Sequence, residues 1–379
     1  MFIIFGLFLL ILTGLYTAFM INHGLNISGF YRFIAPSIFV LSVIFMLFVM
    51  LKVRTANPTA LTAILEPVSY IIMGCLAITV TVFVLDGIIN IPNIFIKSRA
   101  FSYYSTVFSL ILSAVLCLSA LINFYFVLKI KEVKISVPNL PIESLKIVHL
   151  SDIHINSFTS KKNINQIFDK AASLEPDIVV ITGDVIDIDI NKDDKFLEYG
   201  FSKLKGKYGV FAVSGNHEYY AGIDAFYEMF RKLGVKVLND ESVLIINPNG
   251  ERIENIINIA GINDKNWRNE EKIKQSLQNI NPKYPVLFLS HRPETFDVAS
   301  KYARIIELAG HTHAGQIPPI WIARKFFMKY NYGLYRLLYK NGQSNMYVTS
   351  GTRLWGPPMR LFSSSEIAVI ILQGEKNAD

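Results

Sequence analysis

The sequence predicts two parts in one chain: an all-α bundle of four transmembrane helices at the N-terminus, followed by a layered α/β domain. Three observations carry this. Charge is spread unevenly: residues 1–130 hold only two acids, Glu66 and Asp86, and six Lys or Arg, against 30 and 37 in the whole chain. That same third contains four long apolar stretches. From Lys146 onward, short β-branched segments end in small or polar residues, with helical patterns between them.

The spans are expected at about 1–22, 34–51, 68–91 and 104–128. Residues 1–22 carry no charged side chain, enough at 1.5 Å per residue to cross a bilayer core. A cleaved signal peptide would need a basic start and a small-residue cleavage site; neither is present, and three further spans follow. The separators carry the charges: Arg32, then Lys52 and Arg54, then Lys97 and Arg99, then Lys129, Lys131 and Lys134. With a cytoplasmic N-terminus the inside holds five of these and the outside three, so the positive-inside rule favours a second domain on the cytoplasmic side. Asp86, near the end of the third span, reads as an interfacial acid or the mark of a polar site. His23 is expected in a loop between spans.

The net charge of +7 divides as +4 on the first 130 residues and +3 on the remainder. No long basic run appears, so nucleic acid is not expected as a partner, whereas the membrane lipid bilayer is. Cys75 and Cys117 are the only cysteines, which excludes a disulfide framework and a thiolate zinc site.

Residues 131–144 are expected to be a linker and 145–379 the second domain. Its strand candidates are LKIVHLSD, DIVVITGD, GVFAVSGNHE, PVLFLSHRP, ARIIELAGHTH, MYVTSG and EIAVIILQ, with helical patterns over 161–174 and 223–233. Buried strands alternating with helices predict parallel pairing, and such sheets place ligands at the C-terminal ends of their strands.

Five of the seven histidines fall at those ends. Asp152-x-His154 follows the first strand, Gly183-Asp184 with Asp187 the second, and Gly215-Asn216-His217-Glu218 the third. His291 and then His311-x-His313 follow later strands. Side chains at i and i+2 of an extended chain point the same way, so Asp152 and His154 are placed to bind one ion. Glycines 183, 215 and 310 permit tight turns. Carboxylate, imidazole and carboxamide donors together suit Mn²⁺, Fe²⁺ or Zn²⁺ better than Ca²⁺. His149, inside the first strand, reads as a core histidine.

The ordered set D-x-H, G-D-x-x-D, G-N-H-E, H and G-H-T-H resembles the calcineurin-like metallophosphoesterases over about residues 145–372. The wider LSDIHIN, AGHTHAGQ and GTRLWGPPMRLF resemble its membrane-associated subgroup, which includes lipid-processing enzymes. The resemblance implies an α/β-β/α sandwich and two divalent ions. Asp152, His154 and His313 would hold one, and Asn216, His291 and His311 the other, with Asp184 bridging. It further implies hydrolysis of a phosphodiester or pyrophosphate by a hydroxide activated between the ions. His217 matches the family's non-ligand histidine, suited to protonating the leaving oxygen. Asp187 and Glu218 are expected to orient histidines from behind, with the start of the following helix as the other reading of Glu218.

Residues 317–345 carry no acid but seven aromatics and five bases. Read with the attached spans, this segment is expected to lie at the lipid interface, with Trp321, Arg324, Lys325, Phe326 and Phe327 guiding a phosphorylated, lipid-linked substrate. A packed insertion with core aromatics is the competing reading. Arg353 and Arg360 are expected either to clamp phosphate or to be structural. The competing function is a membrane sensor or scaffold that binds a phosphorylated ligand without turnover.

Overall fold

The apolar N-terminal third satisfies its backbone hydrogen bonds internally, as helices, the form that a chain in lipid requires. The structure is a computed structural model describing residues 2–55, 60–156, 159–187, 195–247 and 254–375. The N-terminal helices are α1 (Phe2–Gly24), α2 (Ile34–Thr55), α3 (Ala60–Ile89), the short α4 (Asn93–Ile96) and α5 (Arg99–Phe126). Among the described residues, three stretches are long and apolar enough to cross a membrane: Gly29–Val49, Ile64–Ile89 and Arg99–Phe126. The fourth expected span, 1–22, falls on α1, where the side chains of residues 1–10 lie outside the described set.

Two helix starts differ from expectation. α3 begins at Ala60 rather than 68 and holds Pro67 within it; a proline inside a lipid-type helix is tolerated because neighbouring groups re-satisfy the freed carbonyl. α5 begins at Arg99 rather than 104, because the Ser98 hydroxyl caps it by accepting from the Phe101 N–H at 3.3 Å. His23 lies in the last turn of α1, stacked on Phe19, and not in a loop.

The chain folds as two compact units. The first contains the chain up to Val127 together with 316–323 and 356–363. Its own core joins Ile78 of α3 and Ala120 of α5 to Ile317, Met359 and Leu361.

The second unit is built from two six-stranded sheets. Its first half runs β1 (Leu128–Val137), β2 (Ser144–Leu150), α6 (Lys161–Ala172), β3 (Ile178–Thr182), α7 (Lys195–Phe201), β4 (Val210–Val213), α8 (Asn216–Ala221), α9 (Ile223–Lys232) and β5 (Lys236–Val237). Next come β6 (Glu241–Asn247), β7 (Glu254–Gly261), α10 (Glu270–Ser276), β8 (Val286–Leu289), α11 (Phe296–Tyr302) and β9 (Ile305–Ala309). The chain ends with α12 (Ile320–Phe327), whose residues 320–323 belong to the first unit, then β10 (Gly333–Tyr339), β11 (Gly342–Val348) and β12 (Ser365–Gly374). Strand orders are β1-β12-β2-β3-β4-β5 and β10-β11-β9-β8-β7-β6.

Alternation of side chains across each strand decides the layers. Ile147, Val180 and Val213 of the first sheet meet Ile259, Leu287 and Leu308 of the second in one buried core. Their neighbours Val148, Val179 and Ala212 face outward, into a core with Phe168 of α6 and Phe230 of α9. Phe288 and Ile305 do the same on the far side with Ile273 of α10 and Phe296 of α11. The result is an α/β-β/α sandwich with mixed sheets.

The expected linker 131–144 is largely strand. β1 pairs in parallel with β12 from Leu128↔Ser365 to Val137↔Gly374, burying Ile135 and Val137 between the sheets. Its charges at Lys129, Lys131, Glu132 and Lys134 mark an edge strand, which is why it reads as linker in sequence. The expected interfacial segment 317–345 is also not one insertion. Residues from Gly333 form the β10–β11 hairpin at a sheet edge, and Tyr330 and Tyr335 pack into the core there.

Candidate metal centre

Short loops leave the C-terminal ends of β2, β3, β4, β8 and β9, and each carries one of the sequence-predicted donor groups. Asp152 and His154 are not held as extended chain. Both are left-handed, with φ of 54° and 48°, as are Asp184 at 51°, His311 at 69° and His313 at 51°. Such backbone is unfavourable for non-glycine residues by about 1–3 kcal/mol each and gathers where function over-determines geometry. Cross-loop bonds hold it: Asp152 N–H donates to Gly183 O at 3.1 Å and His154 N–H to Asp184 O at 3.0 Å. The loops come close enough that a Cβ on Gly183 would lie 2.4 Å from the Gly215 nitrogen, and one on Gly310 2.3 Å from Asp152 Oδ2.

The donors form three overlapping clusters: Asp152–His154–His313, His154–Asp184–His217 and Asp184–His291–His311. His313 Nε2 lies 3.2 Å from Asp152 Oδ1 and 3.1 Å from His154 Nε2. His291 Nε2 lies 3.1 Å from both Asp184 Oδ2 and His311 Nδ1. Asp184 Oδ2 is 3.7 Å from His154 Nε2 and 3.9 Å from His217 Nε2, so this one carboxylate is common to two clusters. Asn216 stands on the His311 side, where both accept from the Arg292 guanidinium.

Partners behind the rings fix which nitrogen faces the clusters. His154 Nδ1 is 2.6 Å and His217 Nδ1 2.8 Å from the same Asp187 Oδ1, leaving both Nε2 atoms turned toward Asp184. His291 Nδ1 donates to Thr182 O at 2.8 Å.

Burial works against charge throughout, yet the ion pairs win. Despite burial, Asp187 pushes the His154 imidazole up to about 9, and Asp184 pushes His291 up to about 10. Against the same burial, His291, His154 and His217 hold the Asp184 carboxyl well below the usual range. His311 goes the other way, down to about 2, through burial, His291 and Arg292. Protons shared between buried imidazoles and carboxylates occupy positions that a divalent cation takes over on binding. The donor types, their convergence and the glycine-lined approach all fit a metal site.

Among the described residues Glu218 is hydrogen-bonded to backbone amides and not to a histidine ring. Its carboxylate accepts from the N–H groups of Asp184 at 2.9 Å, Val185 at 2.7 Å and Gly215 at 2.6 Å, tying two donor loops together. Its side chain also completes the first turn of α8. His149 is fully buried with Nε2 2.7 Å from Thr182 Oγ1, and burial lowers its pKa to about 3. Arg353 donates to His154 O at 2.8 Å and Thr159 Oγ1 at 2.7 Å, a brace for the D-x-H loop. Arg360 is fully buried in the first unit.

Three residues of the site escape sequence reasoning. Arg292 donates to Asp264 at 2.9 Å, to His311 Nε2 at 3.0 Å and to Asn216 Oδ1 at 3.1 Å; its place beside His291 was the available signal. Tyr220 and Trp355 edge onto the His217 ring at centroid distances of 5.4 and 6.5 Å and are solvent-exposed. Of the expected substrate-guiding residues, Phe326 and Phe327 are exposed, at 71% and 87%. Arg324 is partly buried, near enough to Asp152 and Glu294 to feel their charge. Trp321 belongs to the first unit, packed on Phe362.

Comparison with known proteins accords with this geometry. A family model described as calcineurin-like phosphoesterase matches residues 145–315. A transmembrane protein with metallophosphoesterase domain from Danio rerio is 32% identical over 283 residues, covering 72% of this chain and 63% of that protein. A metallophosphoesterase of Campylobacter jejuni is 32% identical over 272 residues, 70% of this chain and 69% of its own length. The UDP-2,3-diacylglucosamine pyrophosphatase LpxG of Chlamydia muridarum is 25% identical over 277 residues, 60% of this chain and 84% of that protein. The chain spans 63% and 65% of the first two curated relatives it matches. On these matches the chain belongs to the calcineurin-like metallophosphoesterases.

Proposed function

We propose that this chain hydrolyses a phosphodiester or pyrophosphate bond of a lipid-linked substrate at a membrane, with two divalent cations in the site described. The observation that carries the reading is the sharing of Asp184 between the His154 and His291 clusters. A carboxylate has lone pairs enough to serve two ions. Asp152, His154 and His313 would hold one cation, and Asn216, His291 and His311 the other. Bound there, the cations supply charge that neutralises phosphoryl oxygens and acidifies a water.

The chain's own groups do the rest. His217 is partly open to solvent, its side chain 18% exposed, and Asp187 fixes its Nδ1 proton. Its Nε2 face is therefore the one offered to a leaving oxygen, as general acid. Tyr220 and Trp355 flank it as apolar walls. Arg292 holds the carboxamide of Asn216 and the ring of His311 in place. A binding module would need the donors but not this acid beside them.

Three features support a lipid-linked substrate: the apolar helices, the exposed Phe326 and Phe327, and the similarity to a lipid pyrophosphatase. The four apolar stretches of the sequence support four spans, and the charge of the separators supports a catalytic domain on the cytoplasmic side.

The full chain in detergent with Mn²⁺, assayed on an aryl phosphodiester and an aryl monoester, tests hydrolysis. Turnover should favour the diester and vanish with chelator. Asp184→Asn should lower it by at least about 100-fold, on the scale of losing a charge-stabilising group. Unchanged turnover in that variant would refute the shared-carboxylate site.

A further inference from the structure

The first unit contains a cavity of about 650 Å³. Its walls are α3 and α5, closed at one end by Pro318, Trp321 and Phe362. Almost all of its lining is apolar, and the rim residues Leu85, Ile89, Tyr104 and Phe108 are exposed, so it opens sideways where a bilayer would lie.

The other end is polar. Asp86 lies one turn from the end of α3, beside Ser105 in the second turn of α5. Asp86 is 4% exposed, and its Oδ1 accepts from Ser105 Oγ and from Asn90 Nδ2 at 3.1 Å. Its Oδ2 is buried and has no hydrogen-bond partner among the described residues. A buried carboxylate oxygen left without a donor is costly and calls for one, best a cationic one. From Ser105 to Leu116 the cavity follows α5 for about 16 Å at 1.5 Å per residue, leading away from that acid.

We infer that this cavity binds one membrane lipid, its acyl chain lying between α3 and α5 and its headgroup amine on the Asp86 carboxylate. A bilayer-facing apolar slot admits hydrocarbon, and an anionic headgroup would meet a like charge at Asp86. A primary ammonium offers three N–H donors and a positive charge, whereas a choline headgroup offers the charge alone. This inference does not rest on the proposed hydrolysis, and its test reads binding without turnover.

The test uses the full chain in phosphatidylcholine vesicles doped with phosphatidylethanolamine bearing a photoactivatable acyl chain. Matched probes carry glycerol and choline headgroups. Labelling by the ethanolamine probe should map to α3, α5 and the Trp321 peptide. Leu112→Trp, which fills the cavity, should abolish it, while Ile111→Trp on the exposed side of the same helix should not. Asp86→Asn should weaken ethanolamine labelling by about tenfold, the worth of one charge-assisted hydrogen bond, weaken the choline probe less, and leave the glycerol probe no weaker. Labelling spread evenly over the helices and indifferent to Leu112→Trp would overturn the site. Equal labelling by all three headgroups, unaltered by Asp86→Asn, would overturn the headgroup assignment.

Discussion

Asp187 touches His154 and His217 through one oxygen, so a single carboxylate sets the orientation of a candidate ligand and of the candidate acid. Its position in G-D-x-x-D makes that role readable in sequence. Glu218 was readable as a helix start, but its hold on the loop after β3 was not, because a carboxylate that gathers distant backbone amides leaves no trace in residue type. The left-handed backbone of Asp152 and His154 was hidden for the same reason: it is imposed by bonds to the loop after β3. His149 gives a test at this scale. Its folded pKa of about 3 lies below the ordinary value, so between about 6.5 and 3 the unfolded chain binds the extra proton. Stability from the neutral ring is therefore complete above pH 6.5 and lost as pH falls through that window. In chelator, the melting temperature of the native chain should drop over this range, and His149→Gln should flatten the drop. Parallel curves would show that His149 titrates normally.

At the level of elements, strand ends were the most legible feature. β-branched runs fix the buried strands, and the polar residues that follow must lie at their C-terminal ends. Edges were harder. β1 alternates charge with apolar residues and so resembles a linker, and its partner β12 lies more than 200 residues away. The aromatic segment after His313 divides for a comparable reason: Tyr330 and Tyr335 are core, whereas Phe326 and Phe327 in the last turn of α12 are bare. Exposed paired phenylalanines beside Arg324 and Lys325 have the composition of an interfacial anchor. Replacing both, Phe326→Ser with Phe327→Ser, should slow hydrolysis of a vesicle-borne lipid diester by about tenfold or more, given the apolar area removed. A soluble aryl diester should be affected far less. Equal slowing of both substrates would mean the pair supports the fold and not lipid access.

Over the whole molecule, the division into an apolar third and an ordinary remainder was plain from charge alone. The membership of each unit was not. Residues 316–323 and 356–363 belong with the helices, where Asn123 of α5 donates to Arg360 O at 3.0 Å and Ser363 O at 2.7 Å. No local pattern announces a hydrogen bond between residues so far apart in sequence. Topology is testable at this scale: a C-terminal reporter active only in the cytoplasm should be active, and an inactive cytoplasmic reporter with an active external one would reverse the orientation.

The most direct measurement is electron paramagnetic resonance of the full chain titrated with Mn²⁺. Ions bridged by Asp184 at the spacing of about 3.5–4 Å usual for such pairs are exchange-coupled. The spectrum at two equivalents should show a coupled dimanganese signal, absent from Asp184→Asn. A simple six-line signal that saturates at one equivalent, identical in that variant, would contradict a paired site built on this carboxylate.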